Sequence, residues 1–159
     1  MIGRTTPGSL RDTWFGTRLP ADALARLEAL ARPASYPVGA EILRVGDPTR
    51  DLGIVVRGRV AIRLRVPERG PTSILTIEAG DIIGWSVVVP PNRATSSVIA
   101  LAATDLLLID GTALRAALDA DPVLAAGVYR SLLEALANRL RATRMQLLDL
   151  FSRPVDEPW

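Results

Sequence analysis

Residues 52–66 read Leu-Gly-Ile-Val-Val-Arg-Gly-Arg-Val-Ala-Ile-Arg-Leu-Arg-Val, and the fold turns on this stretch. From Arg59 onward, Val60, Ile62, Leu64 and Val66 alternate with Arg59, Ala61, Arg63 and Arg65. A period of two, with one apolar face and one face carrying arginines, predicts a half-exposed antiparallel strand. The run at 52–56 is short and rich in apolar and β-branched residues, which predicts a second strand. Gly58 stands between the two, where the chain must reverse tightly.

Working outward, residues 34–110 keep this character. Strands are predicted at 34–36, 41–44, 52–56, 59–66, 73–77, 81–84, 96–101 and 105–109. Pro37-Val38-Gly39, Gly46-Asp47-Pro48, Gly58, the segment 67–71 and Gly80 punctuate them. Gly39, Gly46, Gly58 and Gly80 suit turns that need positive φ. Eight short strands at such spacing argue a sandwich, jelly roll or barrel.

Helical periodicity flanks this region. Residues 1–13 read as a loose arm. Residues 20–31 place Leu24, Leu27 and Leu30 at helical spacing, a short amphipathic helix stopped before Pro33. A second short helix is predicted at 112–119. Asp121-Pro122 then supplies an N-cap with proline at the first helical position. The helix that follows runs to about Ser152, roughly 45 Å at 1.5 Å per residue, too long to pack wholly on a domain of this size. Tyr129, Leu133, Leu136, Leu140, Thr143, Leu147 and Leu150 recur at alternating spacings of four and three, a heptad seam. Leu132, Met145 and Leu148 fall outside it and are expected to face the domain's own strands. Two apolar faces favour a parallel homodimer over a single amphipathic helix lying on its own core. Residues 14–120 therefore form the main unit, 121–151 a dimerisation helix and 152–159 a tail.

Composition narrows the chemistry. Among 159 residues there is no cysteine, no histidine and no lysine, and all 19 basic residues are arginine. Histidine bases, cysteine nucleophiles, Schiff-base lysines and imidazole metal sites are therefore not available, and no enzyme is expected. No apolar run is long enough for a membrane span, and the first residues lack a signal-peptide core. The absence of cysteine fits a reducing cytoplasm. A formal charge of +2 is too small to argue for nucleic-acid binding.

The order helix, eight-stranded roll, short helix, long helix resembles the cyclic-nucleotide-binding domain family, which includes the catabolite-activator and FNR-type regulators. The matching pieces are Tyr36-Pro37-Val38-Gly39-Ala40-Glu41-Ile42-Leu43, Val45-Gly46-Asp47, and Leu52 through Val60. Ala79-Gly80-Asp81-Ile82-Ile83-Gly84 and Asn138-Arg139-Leu140-Arg141-Ala142-Thr143-Arg144 follow. The resemblance implies a mainly β fold with added α: an eight-stranded antiparallel β-roll, or jelly roll, between an N-terminal helix and a long C-terminal one. It also implies a phosphate-binding cassette at Gly84-Trp85-Ser86-Val87-Val88-Val89-Pro90-Pro91-Asn92-Arg93-Ala94-Thr95. Gly84, Arg93 and Ala94 match the family pattern, and Trp85 takes the place of the glutamate that holds the ribose. Pro90 and Pro91 must shorten the cassette helix.

The ligand residues so implied are Gly84, Trp85, Ser86, Arg93, Ala94, Thr95 and Thr143. Arg93 would hold the phosphate and Thr143 the base of cyclic AMP or cyclic GMP. Trp85 would stack on a ligand or fill the vacant ribose pocket. A hydroxyl bonded to its own helix carbonyl is the alternative role for Thr143. Two functions follow: a ligand sensor signalling through a dimer helix to a protein partner not yet identified, or a dimeric scaffold with its pocket plugged by Trp85. The eight residues after the long helix are too few for a helix-turn-helix domain, so no nucleic-acid partner is expected. A cupin-like metal enzyme fails for want of histidine.

Overall fold

The computed structural model describes the backbone of residues 8–152 and the side chains of residues 8–148. The helices are α1 (Trp14–Thr17), α2 (Ala21–Leu30), α3 (Gly111–Ala120) and α4 (Pro122–Ser152). The strands are β1 (Ala31–Tyr36), β2 (Glu41–Leu43), β3 (Asp51–Arg57), β4 (Arg59–Val66), β5 (Gly70–Glu78), β6 (Ile82–Ile83), β7 (Ser97–Ala100) and β8 (Thr104–Asp110). They form two four-stranded antiparallel sheets, ordered β1-β8-β3-β6 and β2-β7-β4-β5. This is the eight-stranded roll with flanking helices that the sequence implies.

Sequence patterns explain which strands lie where. β3 and β8 are apolar on both faces because both faces are covered. Leu52, Ile54, Leu107 and Ile109 pack against the helices, while Val55, Leu106 and Leu108 point into the roll with Val60, Ile77 and Val98. β4 lies in the other sheet, and its arginines reach water. Gly39, Gly46, Gly58 and Gly80 all have positive φ. At Gly58 the requirement is doubled, since an added Cβ would lie 2.5 Å from the Ala103 carbonyl oxygen.

Several boundaries differ from the sequence reading; β5, for one, begins at Gly70 rather than at residue 73, inside the stretch 67–71 expected to turn. β1 starts at Ala31 and runs through Pro33, because β1 is an edge strand and the missing N–H there breaks no inner ladder. The stretch expected as a loose arm is ordered from Leu10: Leu10–Asp12 form a 3₁₀ turn that buries Leu10. Ser9 donates to Glu28 at 2.6 Å and Arg11 pairs with Glu28 at 3.0 Å, stapling the turn to α2.

α4 has two halves. Leu124, Val128, Ser131, Leu132 and Ala135 are buried against α2, α3 and the roll. On the opposite side Tyr129, Leu133, Leu140 and Leu147 are exposed, while Leu136 and Thr143 are half-buried. The side chain of Leu150 lies outside the described residues, as does the segment 153–159. Met145 and Leu148, expected to face the strands, are 60% and 59% exposed. The last buried side chain of α4 among the described residues is Ala135, more than two turns before them. No helix is long and apolar enough to cross a membrane among the described residues.

Candidate ligand cavity beneath the long helix

The cassette begins at Gly84, whose φ of 71° is left-handed. A Cβ here would meet the Asp51 carbonyl oxygen at 2.5 Å, so the position is closed to other residues on two counts. Trp85–Val88 then form a single 3₁₀ turn rather than a full helix, as the prolines that follow require. The Pro90-Pro91 bond is cis. Asn92 donates from Nδ2 to the carbonyls of Ser86 and Val87, at 2.9 and 3.0 Å, which pins the returning strand to the turn.

Between this turn, the roll and α4 lies a small cavity. Gly84, Trp85, Ser86, Ala94, Thr95 and Arg139 line it with apolar residues from the roll, including Ile83 and Val98. Its volume is about 20 Å³, room for about one water molecule. Five of the seven expected ligand residues thus meet at one place: Gly84, Trp85, Ser86, Ala94 and Thr95. Ser86 is buried and its hydroxyl is already bonded to that of Thr49 at 2.8 Å. Trp85 is half-buried and packs against the helix-side core as part of the cavity wall.

The other two residues are elsewhere. Arg93 does not enter the cavity: its Nη1 donates to the Gly46 carbonyl at 2.8 Å on the outer side of the roll. Pro48 bridges Arg93, and Ala94 exchanges backbone hydrogen bonds with Asp47 and Gly46 at 2.9 and 2.8 Å. Side chains alternate along such an extended segment, so with Ala94 facing in, Arg93 must face out. Thr143 donates to the carbonyl of Arg139 at 2.9 Å, one turn back in its own helix, and is not among the residues lining the cavity.

The cation that does enter is Arg139. Its Nη2 donates to the Ile82 carbonyl at 2.6 Å and lies 3.5 Å from Asp81. Its Nε is buried without a partner. Burial pushes the guanidinium below the ordinary arginine value, and Asp81 opposes that shift. Sequence reasoning named this residue only within the matching segment 138–144 and gave it no ligand role. The available signal is spacing: Val128, Leu132, Ala135 and Arg139 follow one another at four, three and four residues, which puts Arg139 on the domain-facing stripe.

Known proteins resemble this chain in sequence and in fold. The model of the family described as "Cyclic nucleotide-binding domain" matches residues 33–121. A curated relative, the CRP-like cAMP-activated global transcriptional regulator of Mycobacterium tuberculosis (strain ATCC 25618 / H37Rv), is 32% identical over 129 residues. That match covers 80% of this chain and 55% of the regulator, so the chain spans about half the length of the relative. Among solved structures, a cyclic nucleotide-binding domain from Methylobacillus flagellatus superposes with a TM-score of 0.79 at 21% identity, covering 94% of this chain and 90% of that one. The Thermus thermophilus catabolite activator protein gives 0.67 at 23% identity, covering 88% and 63%.

Proposed function

Because this chain belongs to the cyclic nucleotide-binding domain family, we propose that it is a non-catalytic regulatory domain that takes a cyclic nucleotide, or a related phosphate, beneath α4. The observation that carries the reading is Arg139. A guanidinium held out of water with an unpartnered Nε is a costly arrangement, and an anionic ligand in the cavity supplies the missing acceptor. Ser96, Thr95 and the turn at Trp85 offer the remaining polar surface.

A nucleotide cannot share about 20 Å³ with Arg139 in its present position. Ligand entry therefore requires the guanidinium to leave Asp81 and Ile82, and α4 to shift with it. That requirement links occupancy to helix position, a shift between two packings biased by the ligand. The exposed seam of Tyr129, Leu133, Leu140 and Leu147 gives α4 a surface for a second copy of the chain, through which the signal would pass.

A second reading has its own support. Trp85 in the wall, Arg93 turned to the Gly46 carbonyl and the small volume together favour a closed roll acting as a dimeric scaffold. Calorimetric titration of cyclic AMP and cyclic GMP separates the two. The sensor reading expects micromolar binding that Arg139→Gln abolishes and Arg93→Ala leaves intact. No heat and no thermal stabilisation at millimolar nucleotide would overturn it in favour of the scaffold.

A further inference from the structure

β3 carries a glycine, Gly53, where its neighbours Leu52, Ile54 and Val55 are buried and apolar. Gly53 does not have positive φ, so no turn demands glycine here. A glycine inside a strand costs backbone entropy, and it marks a place where something else must come close. Ile83 and Leu108 close over it, and an added Cβ would lie 2.8 Å from Ile83 Cγ1 and 3.3 Å from Leu108 Cδ2. Beside them a recess of about 190 Å³ opens to solvent. Ile42, Leu43, Gly53, Ile83 and Leu108 make its floor, with Tyr36 on one wall. None of residues 84–95 lines it, and Leu43 and Ile83 form the partition between it and the cavity beneath α4.

Arg44, Asp47, Arg50 and Asp51 stand at the mouth. Two of them are engaged: Arg44 pairs with Glu41 at 2.8 Å and Asp51 with Arg32 at 2.9 Å. The side chains of Asp47 and Arg50 have no hydrogen bond or ion pair among the described residues. These two carry opposite charges three residues apart and do not pair with each other. Their main chains are nevertheless fixed. The Asp47 amide donates to the Arg44 carbonyl at 3.1 Å, and its carbonyl accepts the Ala94 amide at 2.9 Å. The Arg50 carbonyl accepts the Gly111 amide at 2.8 Å. An apolar floor beneath one free carboxylate and one free guanidinium complements a molecule with an ammonium, a carboxylate and a short apolar body.

We infer that this recess is a site for a small zwitterion, an α-amino acid with a branched aliphatic side chain. The side chain enters over Leu43, Ile83 and Leu108, the ammonium faces Asp47, and the carboxylate takes the planar fork of Arg50. Size agrees with that class: an apolar cavity of about 150 Å³ holds a molecule as large as benzene. The recess falls short of the roughly 300 Å³ at which sites for larger ligands begin. Asp47 and Arg50 are exposed, so solvent screens each contact and the expected affinity is millimolar. The site stands whether or not the cavity beneath α4 takes a nucleotide.

The test titrates L-leucine into the full ¹⁵N-labelled chain at constant ionic strength, following amide chemical shifts by NMR. Saturable shifts at Leu43, Gly53 and Leu108 are expected, with a Kd in the millimolar range or below. Asp47→Asn/Arg50→Gln, both at exposed positions, is expected to weaken binding at least about tenfold. Arg65→Gln/Glu78→Gln removes the same two charges from the other sheet and is expected to leave affinity within about twofold, because distant exposed charges are screened. L-Leucinamide lacks the carboxylate, 4-methylpentanoate the ammonium and free glycine the side chain, and each is expected to bind more weakly than L-leucine. No saturation by L-leucine, equal binding of any of the three analogues, or shifts centred on Trp85 and Arg139 instead would overturn the proposal.

Discussion

Arg139→Met tests how this fold carries a buried cation. The substitution removes the 2.6 Å hydrogen bond to the Ile82 carbonyl, worth about 1.5–3 kcal/mol for a charged donor. It also removes the contact to Asp81, whose side chain is 35% exposed, worth at most about 1 kcal/mol. Against these stand the desolvation of a guanidinium whose side chain is only 12% exposed, several kcal/mol, and the buried Nε with no acceptor, about 1–3 kcal/mol. The favourable side, about 2.5–4 kcal/mol, does not exceed the unfavourable one, so the substitution should cost little or nothing, and methionine's unbranched chain fills the same channel. Urea unfolding should therefore give an unchanged slope and a midpoint close to wild type, with Tm moved by no more than about 4 °C. Asp81→Asn, which keeps the shape but strips the guanidinium of its counter-charge, should be the more damaging change. A loss above about 3 kcal/mol for Arg139→Met would mark the arginine as a structural strut and refute the reasoning.

Glu28 provides a test in pH. The Arg11 guanidinium, then the Ser9 hydroxyl, holds its carboxyl down to a pKa of about 2. A folded pKa below the unfolded one means that the contribution is complete above about pH 4.3 and disappears as the pH falls through about 2. Glu28→Gln should flatten the acid limb of the stability curve over that window, and a carboxyl ¹³C titration with a midpoint above 4 would contradict it. Gly111→Ala should cost about 2–3 kcal/mol in urea, because the new methyl collides with Val87 and comes within 2.8 Å of the Arg50 carbonyl. A wild-type midpoint would mean that the cassette turn yields freely. Under the proposed dimer, Leu133→Glu, at a side chain 69% exposed in the single chain, should weaken self-association at least about hundredfold, read by light scattering after size exclusion. An unchanged dimer population would move the interface off this seam.

Most of the architecture was legible in the residues. The alternation in residues 59–66 gave β4 its boundaries, and the glycines at 39, 46, 58 and 80 marked turns that do have positive φ. Ser9, Thr13 and Leu10 carried a weaker signal, because a turn of three residues has no periodicity to display. The cavity was half legible. Gly84, Trp85, Ser86, Ala94 and Thr95 converge as expected, but one residue of register separates Ala94 inside from Arg93 outside. Pattern matching across Pro90-Pro91 does not resolve a single step, and a single step exchanges the faces. Thr143 took the local option of its own helix carbonyl. Arg139 lies on the same stripe as Val128, Leu132 and Ala135, a spacing that marks it as inward-facing.

The rooting of α4 has a mechanical consequence. Its buried apolar side chains end at Ala135, Arg139 alone reaches back to the roll one turn later, and the helix continues to Ser152 with exposed leucines on its flank among the described residues. Seventeen residues beyond that fulcrum form an arm about 25 Å long. A tilt of about 10° at the root would sweep the far tip through about 4 Å on such an arm. Arg139 sits one turn past the fulcrum, where the same tilt moves the helix axis by only about 1 Å. The fold is thus geared: an adjustment the size of one lengthened hydrogen bond in the cavity becomes, at the far end, a displacement large enough to disengage one row of side chains from another.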